Sequence, residues 1–124
     1  MRILLAEDER NFGRVLEAEL SEIGHEVDLV PDGVEAVLRC IEREYDFALL
    51  DIKMPRLDGI NALRIIKRLR PGLPAITYSG NAGSGEMAES IRAGAIRCLT
   101  KPLAIARLRE EIEHHAARRQ GTGR

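Results

Sequence analysis

Five short apolar runs alternate with five longer segments in which apolar residues recur every three or four positions, and this alternation restricts the fold more than any other feature. Short apolar runs are typical of buried strands, and the longer pattern is typical of amphipathic helices. We predict strands at residues 3–6, 27–30, 47–50, 75–78 and 96–99. Because a helix follows each strand, the chain is predicted to be a (βα)5 repeat with a parallel sheet.

The helices are marked by apolar stripes and by turn residues at their ends. Gly24 is predicted to end the first helix, and Asp58 is predicted to begin the third. The fourth stripe, which consists of Met87, Ala88 and Ile91, is the weakest. Right-handed crossovers between parallel strands place helices on both faces of the sheet, so we expect an open, doubly wound α/β domain.

The chain has 124 residues, which is close to the size of one domain. Residues 1–117 are predicted to form that domain. The helical periodicity stops after residue 117, so residues 118–124 are predicted to be a flexible C-terminal tail or the start of a linker.

The composition argues against several classes of function. With 19 Lys and Arg against 20 Asp and Glu, the formal net charge is -1, so no overall positive field favours nucleic acid or an anionic membrane. Aromatic residues make up 3% of the chain, which is too few for a surface on which bases stack. The apolar runs are far shorter than a membrane-spanning helix. We therefore expect no membrane association and no direct binding of nucleic acid.

The two cysteines, Cys40 and Cys98, are far apart in the sequence and show no spacing typical of metal ligands. We predict two free, buried thiols, which suits a reducing, cytoplasmic location. A disulfide between the two cysteines is the alternative.

Polar and charged residues follow four of the five predicted strands. Glu7 and Asp8 follow the first strand, Asp51 the third, Ser79 the fourth and Lys101 the fifth. In a doubly wound sheet, ligands bind at the carboxyl ends of the strands, so these side chains are predicted to converge. Crowded carboxylates resist ionisation unless a cation neutralises them, and the expected cofactor is therefore Mg2+ or Mn2+.

The combination of these residues favours phosphoryl transfer. An aspartate such as Asp51 can act as a nucleophile and form an acyl phosphate. Ser79 would donate a hydrogen bond to one phosphoryl oxygen, and Lys101 would neutralise another. Taken singly, each residue has a simpler explanation. Glu7 and Asp8 could cap the N-terminus of a helix, and Ser79 and Lys101 could begin ordinary loops.

A nine-residue string begins at the end of the third strand and reads Asp51-Ile52-Lys53-Met54-Pro55-Arg56-Leu57-Asp58-Gly59. With Glu7-Asp8, Ser79 and Lys101-Pro102, the string resembles the receiver domain of two-component response regulators. The resemblance covers residues 1–117 and implies a flavodoxin-like sheet of strand order 2-1-3-4-5.

In that family the active aspartate is phosphorylated, so the resemblance implies that a sensor histidine kinase or a phosphotransfer protein phosphorylates Asp51. It implies a phosphoacceptor switch rather than an enzyme. It further implies that Asp8, Asp51 and the backbone carbonyl of Lys53 hold Mg2+, with Glu7 acting through water.

Four positions bear on how such a switch would work. Cys98 lies three residues before Lys101, at a place on the fifth strand where receivers usually have Tyr or Phe, so the usual movement of a ring is not expected. Arg97 stands where an acidic residue is common. Lys53 and Asn81 flank the path of the attacking water and are expected to set the phosphoryl lifetime, with Lys53 slowing hydrolysis.

Residues 1–124 show no output domain, so the expected output is contact with a downstream protein or with an output domain elsewhere. A homodimer through helix 4, strand 5 and helix 5 is a further expectation. Two alternatives stay open. An Asp-nucleophile phosphohydrolase would typically have a second Asp where this chain has Lys53, and a phosphate-independent interaction module would keep the fold without the chemistry.

Overall fold

The computed structural model describes residues 1–80 and 83–122, and for residues 116–122 it describes the backbone alone. Within these ranges five strands and five helices alternate along the chain. The strands are β1 (Arg2–Ala6), β2 (Glu26–Val30), β3 (Phe47–Asp51), β4 (Ala75–Ser79) and β5 (Arg97–Thr100). The helices are α1 (Arg10–Glu22), α2 (Gly33–Glu42), α3 (Gly59–Leu69), α4 (Ser84–Ala93) and α5 (Ile105–Thr122). Each predicted strand agrees with the observed strand to within one residue at either end.

The strands form one parallel sheet in the order β2-β1-β3-β4-β5, which confirms the predicted fold. Leu5 of β1 lies beside Leu29 of β2 on one side and beside Leu49 of β3 on the other. The chain winds outward in one direction from β1 to β2 and in the other direction from β3 to β5. The carboxyl ends of β1 and β3 therefore border the crevice in which ligands bind in such sheets.

Two apolar layers cover the sheet. Alternate strand residues such as Leu4 and Leu50 pack with residues of α2, α3 and α4 on one face. Their neighbours Leu5 and Leu49 pack with residues of α1 and α5 on the other face. Because β1, β3 and β4 are buried on both faces, they hold the site residues at their carboxyl ends in fixed positions.

Two of the predicted turn signals act as expected. Gly24 follows α1 with a φ of 101°, a left-handed conformation that favours glycine. Asp58 precedes α3, and its side chain accepts a hydrogen bond of 2.8 Å from the backbone N–H of Asn61. This cap fixes the start of α3 close to the end of β3.

The apolar stripe predicted for the fourth helix is wrong. Met87 and Ile91 are 39% and 51% exposed, and Ala88 is exposed as well. The buried side of α4 is formed instead by Ser90 and Ala93. These small side chains let the helix lie close to the sheet, and a pattern based on large apolar residues does not reveal that face.

Helix α5 continues to Thr122, which is five residues beyond the predicted end of the domain at residue 117. The description of residues 118–124 as a tail or linker stays a prediction. Along the described part of α5, Arg107 pairs with Glu111 and Arg109 pairs with Glu113, both at one-turn spacing. These pairs are typical of a solvated helix face.

Both cysteines are free and buried, as predicted. Burial raises the pKa of the Cys40 thiol to about 11, so this side chain behaves as a small apolar residue. Among the helices that the structure describes, none combines the length and the apolar character needed to cross a bilayer.

Candidate functional site

Three carboxylates meet at the carboxyl end of the sheet. Glu7 and Asp8 directly follow β1, and Asp51 ends β3. One oxygen of each side chain lies within 4.8 Å of the others. Glu7 and Asp51 are buried, whereas Asp8 is exposed, so the cluster is open to solvent on one side. Repulsion between carboxylates at this distance is relieved by a hard divalent cation with oxygen ligands, and the residues present fit Mg2+.

Both oxygens of Glu7 are held by hydrogen bonds. Oε2 accepts from the backbone N–H of Glu9 at 2.9 Å, and Oε1 accepts from the hydroxyl of Tyr78 at 2.9 Å. Burial raises the pKa of Glu7 above its usual value, although these two hydrogen bonds oppose the shift. The carboxylate is therefore fixed in direction but costly to ionise without a nearby cation.

Lys101 pairs with two of these carboxylates. Its Nζ lies 3.2 Å from Asp51 Oδ2 and 3.5 Å from Glu7 Oε1. Burial alone would lower the pKa of Lys101, but Asp51 and Glu7 raise it above its usual value, so the side chain is an ammonium ion at neutral pH. The other oxygen of Asp51, Oδ1, accepts a hydrogen bond of 3.1 Å from the backbone N–H of Lys53.

Ser79 reaches the same edge of the sheet because it ends β4. The strand pairing places Asp51 beside Tyr78, so the next residue, Ser79, lies one step further toward the site. Its side chain is fully buried, and its backbone carbonyl accepts a hydrogen bond of 2.8 Å from the N–H of Lys101. The structure thus brings Glu7, Asp8, Asp51, Ser79 and Lys101 to one end of the sheet.

A glycine allows α3 to begin directly against the site. A Cβ on Gly59 would lie 2.1 Å from the backbone oxygen of Asp51, which is much closer than atoms can approach. The N–H of Gly59 donates to the carbonyl oxygen of Ile52 at 2.8 Å. The loop between β3 and α3 is therefore folded back tightly beneath Asp51.

A charged clamp fastens this loop to the start of α2. Arg56 has a φ of 67°, an uncommon conformation for a residue with a side chain. Its guanidinium contacts both oxygens of Asp32, at 3.0 and 3.2 Å, and Glu35 at 3.2 Å. A Cβ on Gly33 would lie 2.1 Å from the carbonyl oxygen of Leu57, so α2 and the loop are in direct contact. This clamp was not predicted, because nothing local in the sequence pairs Arg56 with Asp32.

The simpler explanation of Glu7 and Asp8 as caps of α1 is wrong. Helix α1 is capped by Glu9, whose carboxylate accepts hydrogen bonds from the backbone N–H groups of Asn11 and Phe12. This leaves Glu7 and Asp8 free to belong to the acidic cluster.

The remaining predicted residues are placed as follows. The side chain of Lys53 is exposed next to the site. Cys98 is buried in β5, where it lies beside Thr77 of β4. Arg97 pairs with Glu111 of α5 at 3.1 Å, which balances part of its charge. Asn81 lies outside the described residues.

Two aromatic residues at the site were not predicted. Lys101 Nζ lies 4.8 Å from the centre of the Phe12 ring and 5.5 Å from that of the Tyr78 ring. A tyrosine on a strand buried on both faces needs a partner for its hydroxyl, and this requirement was the signal in the sequence that could have drawn attention to Tyr78.

A doubly wound sheet of five parallel strands, with an acidic cluster and a lysine at its switch point, defines a narrow class of protein. The family model for the response regulator receiver domain matches residues 3–113 of this chain. The chain belongs to the response regulator receiver domain family.

Similar proteins include the transcriptional regulatory protein ZraR of Salmonella typhimurium, which is 33% identical over 121 residues. The match covers 98% of this chain but 27% of ZraR, so the chain spans about a quarter of that relative's length.

Among solved structures, the receiver domain of the Francisella response regulator 1452 is 27% identical with a TM-score of 0.87, covering 94% of this chain and 97% of that one. The receiver domain of the sensor histidine kinase PA1611 of Pseudomonas aeruginosa, solved with a magnesium ion coordinated in its active site cleft, is 35% identical with a TM-score of 0.84. The likeness to PA1611 covers 91% of this chain and 94% of that chain.

Proposed function

We propose that this chain is a phosphorylation-dependent switch of a two-component system, with Asp51 as the phosphoacceptor. The observation that carries the proposal is the setting of the Asp51 carboxylate. It is buried, it contacts the Lys53 N–H and the Lys101 ammonium group, and it lies within 4.8 Å of two further carboxylates. Membership of the receiver family supports the same assignment.

The donor is a phosphohistidine of a sensor histidine kinase or of a phosphotransfer protein. A carboxylate oxygen of Asp51 attacks the phosphorus atom, a P–O bond forms, and the P–N bond breaks. The electron pair of the P–N bond stays on the imidazole nitrogen, which then takes up a proton. Lys101 neutralises charge on the phosphoryl oxygens, and the Ser79 hydroxyl donates to one of them.

Asp8, Asp51 and the backbone carbonyl of Lys53 would hold Mg2+, and Glu7 would act through a water molecule. When bound, Mg2+ neutralises the carboxylates and the phosphoryl oxygens that approach them. The open side at Asp8 leaves room for a phosphoryl group to enter. The magnesium ion in the PA1611 receiver structure supports this choice of metal, with Mn2+ as a substitute.

Lys53 and Asn81 are proposed to set the lifetime of the phosphoryl group. The exposed side chain of Lys53 begins next to Asp51 and can reach phosphoryl oxygens on the solvent side. Replacing Lys53 by Ala should accelerate phosphoryl loss about threefold, the scale of an exposed ion pair. The loss is followed by intact mass after the donor is removed, with Arg68→Ala as the control for an exposed cation on α3. Equal rates in Lys53→Ala and the parent would contradict this role.

The output is proposed to be a contact with a downstream protein or output domain through α4, β5 and α5, a surface that could also form a homodimer. Met87 and Ile91 are exposed on α4 and would supply apolar contact area. The two free thiols suit a cytoplasmic location. Because Cys98 replaces the usual ring, the backbone of β5 and the loop after Ser79 are proposed to carry the signal.

The test of the chemistry is incubation with Mg2+ and a small phosphodonor, followed by measurement of the intact mass. We expect the mass of one phosphoryl group to be added to the parent and not to Asp51→Asn. Asp58→Asn is the matched control, because Asp58 lies in the same loop and Asn caps a helix as well as Asp does. A parent protein that gains no phosphoryl group would leave the phosphate-independent interaction module as the better account.

A further inference from the structure

The hydroxyl of Tyr78 links the second core layer to the acidic cluster. Tyr78 is fully buried in the layer that includes α1 and α5, and it donates to Glu7 Oε1 at 2.9 Å. We infer that Tyr78 is a positioning residue that holds the Glu7 carboxylate in the direction required for Mg2+ binding and, with Phe12, confines the Lys101 ammonium group to the site. This inference rests on the proposed function.

The Glu7 carboxylate is held by a donor on each of its two oxygens. A carboxylate offers about four lone-pair positions on its two oxygens. Tyr78 occupies one on Oε1 and the Glu9 N–H occupies one on Oε2, so the group cannot rotate freely. The side chain of Glu7 is 0% exposed, so bulk water does not replace the Tyr78 hydroxyl if that donor is removed. The remaining positions are left for Lys101 and for a hydrated cation.

The Lys101 ammonium group lies against two aromatic rings. Its Nζ lies within 6 Å of both aromatic ring centres, which are themselves 6.1 Å apart. Rings at these distances attract the ammonium group and offer it no hydrogen-bond acceptor. Its polar contacts are therefore directed to Asp51 and Glu7. The ring of Tyr78 thus contacts Lys101 while its hydroxyl contacts Glu7.

A phosphoryl group on Asp51 would draw the Lys101 ammonium group away from Glu7. When Lys101 turns toward new phosphoryl oxygens, Glu7 Oε1 loses one of its two partners. The Tyr78 hydroxyl keeps that buried oxygen satisfied. Without the hydroxyl, the cost of leaving the oxygen unpaired would hold Lys101 back. Tyr78 is therefore expected to support both metal binding and capture of the phosphoryl group.

The experiment compares Tyr78→Phe with the matched control Tyr45→Phe. Tyr45 is also buried and also donates to a carboxylate, Asp28, at 2.6 Å, but Asp28 lies outside the acidic cluster. Removing the Tyr78 hydroxyl should weaken Mg2+ binding about tenfold, the scale found for groups that orient metal ligands. Tyr45→Phe should keep the Mg2+ affinity of the parent. Mg2+ dissociation constants come from calorimetry, and the unfolding midpoint of each variant is measured beside them.

A second readout leaves Tyr78 unchanged. The chain has two tyrosines and no tryptophan, so in Tyr45→Phe the tyrosine emission comes from Tyr78 alone. Mg2+ should change that emission, because the carboxylate that accepts the Tyr78 hydrogen bond becomes neutralised. In Tyr78→Phe, where Tyr45 is the emitter, Mg2+ should leave the emission unchanged.

Weaker Mg2+ binding in Tyr78→Phe together with a Mg2+ response of the Tyr78 emission supports the inference. A folded Tyr78→Phe protein with the parent's Mg2+ affinity would overturn it, even if the unfolding midpoint had fallen. If Tyr78→Phe does not fold, a Tyr78 emission that does not change with Mg2+ in Tyr45→Phe overturns the inference. If the parent itself bound neither Mg2+ nor beryllium fluoride, a stable mimic of the phosphoryl group, the proposed function would be overturned, and this inference with it.

Discussion

Lys101 lies between two carboxylates that the strands hold in place, and the charge balance of the site depends on it. Its ammonium group is 3.2 Å from Asp51 and 3.5 Å from Glu7. A divalent cation would compete with Lys101 for the same oxygens, whereas a phosphoryl group would attract both cations. Under the proposed function, metal binding and phosphorylation should therefore depend on Lys101 in opposite ways.

Lys101→Met is expected to bind Mg2+ more tightly than the parent and to be phosphorylated about a hundredfold more slowly, the scale for loss of one group that stabilises developing charge. Calorimetry measures the first effect, and intact mass over time measures the second. Lys67→Met is the control, because Lys67 is a half-buried lysine whose ammonium group contacts only the backbone oxygens of Pro71 and Leu73 among the described hydrogen bonds. If Mg2+ affinity and phosphorylation rate both fell, or both rose, in Lys101→Met, the opposing roles of Lys101 would be contradicted.

Among single residues, the charged groups of the site could be predicted from the sequence, whereas the residue that positions Glu7 could not. Glu7, Asp8 and Asp51 follow strands, and the ends of parallel strands meet at one edge of the sheet, so their convergence could be inferred. Tyr78 could not be paired with Glu7 in the same way, because the two residues are 71 positions apart and face each other only in the folded sheet.

Between elements, the site depends on how α2 and α3 meet the loop that follows β3. The clamp of Arg56 with Asp32 and Glu35 joins the start of α2 to that loop, and the close approach at Gly59 places the start of α3 against the end of β3. The loop carries Lys53, whose carbonyl is a proposed metal ligand. Its geometry is therefore set by two neighbouring helices.

The clamp predicts a pH dependence of stability. Burial of Asp32 opposes its ionisation, but hydrogen bonds from the Glu35 N–H and from Arg56 outweigh burial and hold the pKa of Asp32 below its usual value of 3.8. A group with a lowered folded pKa stabilises the fold above its unfolded pKa, and the stabilisation is lost as the pH falls through the folded value.

Asp32→Asn keeps a good helix cap and removes the charge, so it isolates the ion pair. We expect the urea unfolding midpoint of Asp32→Asn to be lower than that of the parent at pH 7. We expect this difference in midpoint to narrow as the pH falls below 3.8. Asp32→Ala should cost about 1 kcal/mol more, because the cap is lost as well. Urea unfolding of Asp32→Asn, Asp32→Ala and the parent between pH 3 and pH 7 checks both expectations. A gap between Asp32→Asn and the parent that is constant with pH would show that the charge of Asp32 is not involved.

Gly59→Ala tests the contact between α3 and the end of β3. Because the new Cβ would meet the backbone oxygen of Asp51, we expect a loss of about 1–3 kcal/mol in the free energy of unfolding. Gly72→Ala is the control, since a Cβ on Gly72 meets no atom within 4 Å. Equal stability of the two variants would mean that the loop can move away from Asp51 at little cost.

Sequence patterns located the strands because strands buried on both faces must be short and apolar. They did not locate the inner face of α4, which is formed by Ser90 and Ala93. Small side chains carry little hydrophobic signal, so their burial is visible only in the folded structure. The clamp was not predicted either, because Asp32 precedes α2, Arg56 precedes α3, and the two residues meet only in the folded chain.

At the scale of the whole molecule, the acidic cluster lies where the two helical layers and the central strands meet. Ser79 ends β4 and lies beside Thr100 of the neighbouring strand β5, in which Cys98 lies beside Thr77 of β4. Tyr78 leads into the opposite layer with α1 and α5. Under the proposed function, a change of charge at Asp51 would therefore have a route to both faces of the sheet, although Cys98 stands where receivers usually have a ring.

The central claim is that a phosphoryl group on Asp51 switches this domain, and amide chemical shifts measured with Mg2+ and beryllium fluoride, a stable phosphoryl mimic, test it most directly. We predict shift changes that begin at Asp51 and Ser79 and continue through Cys98 into α4 and β5, and that are absent in Asp51→Asn. Changes that stop at the residues around Asp51 would contradict the claim, because the mimic would then bind without switching the domain.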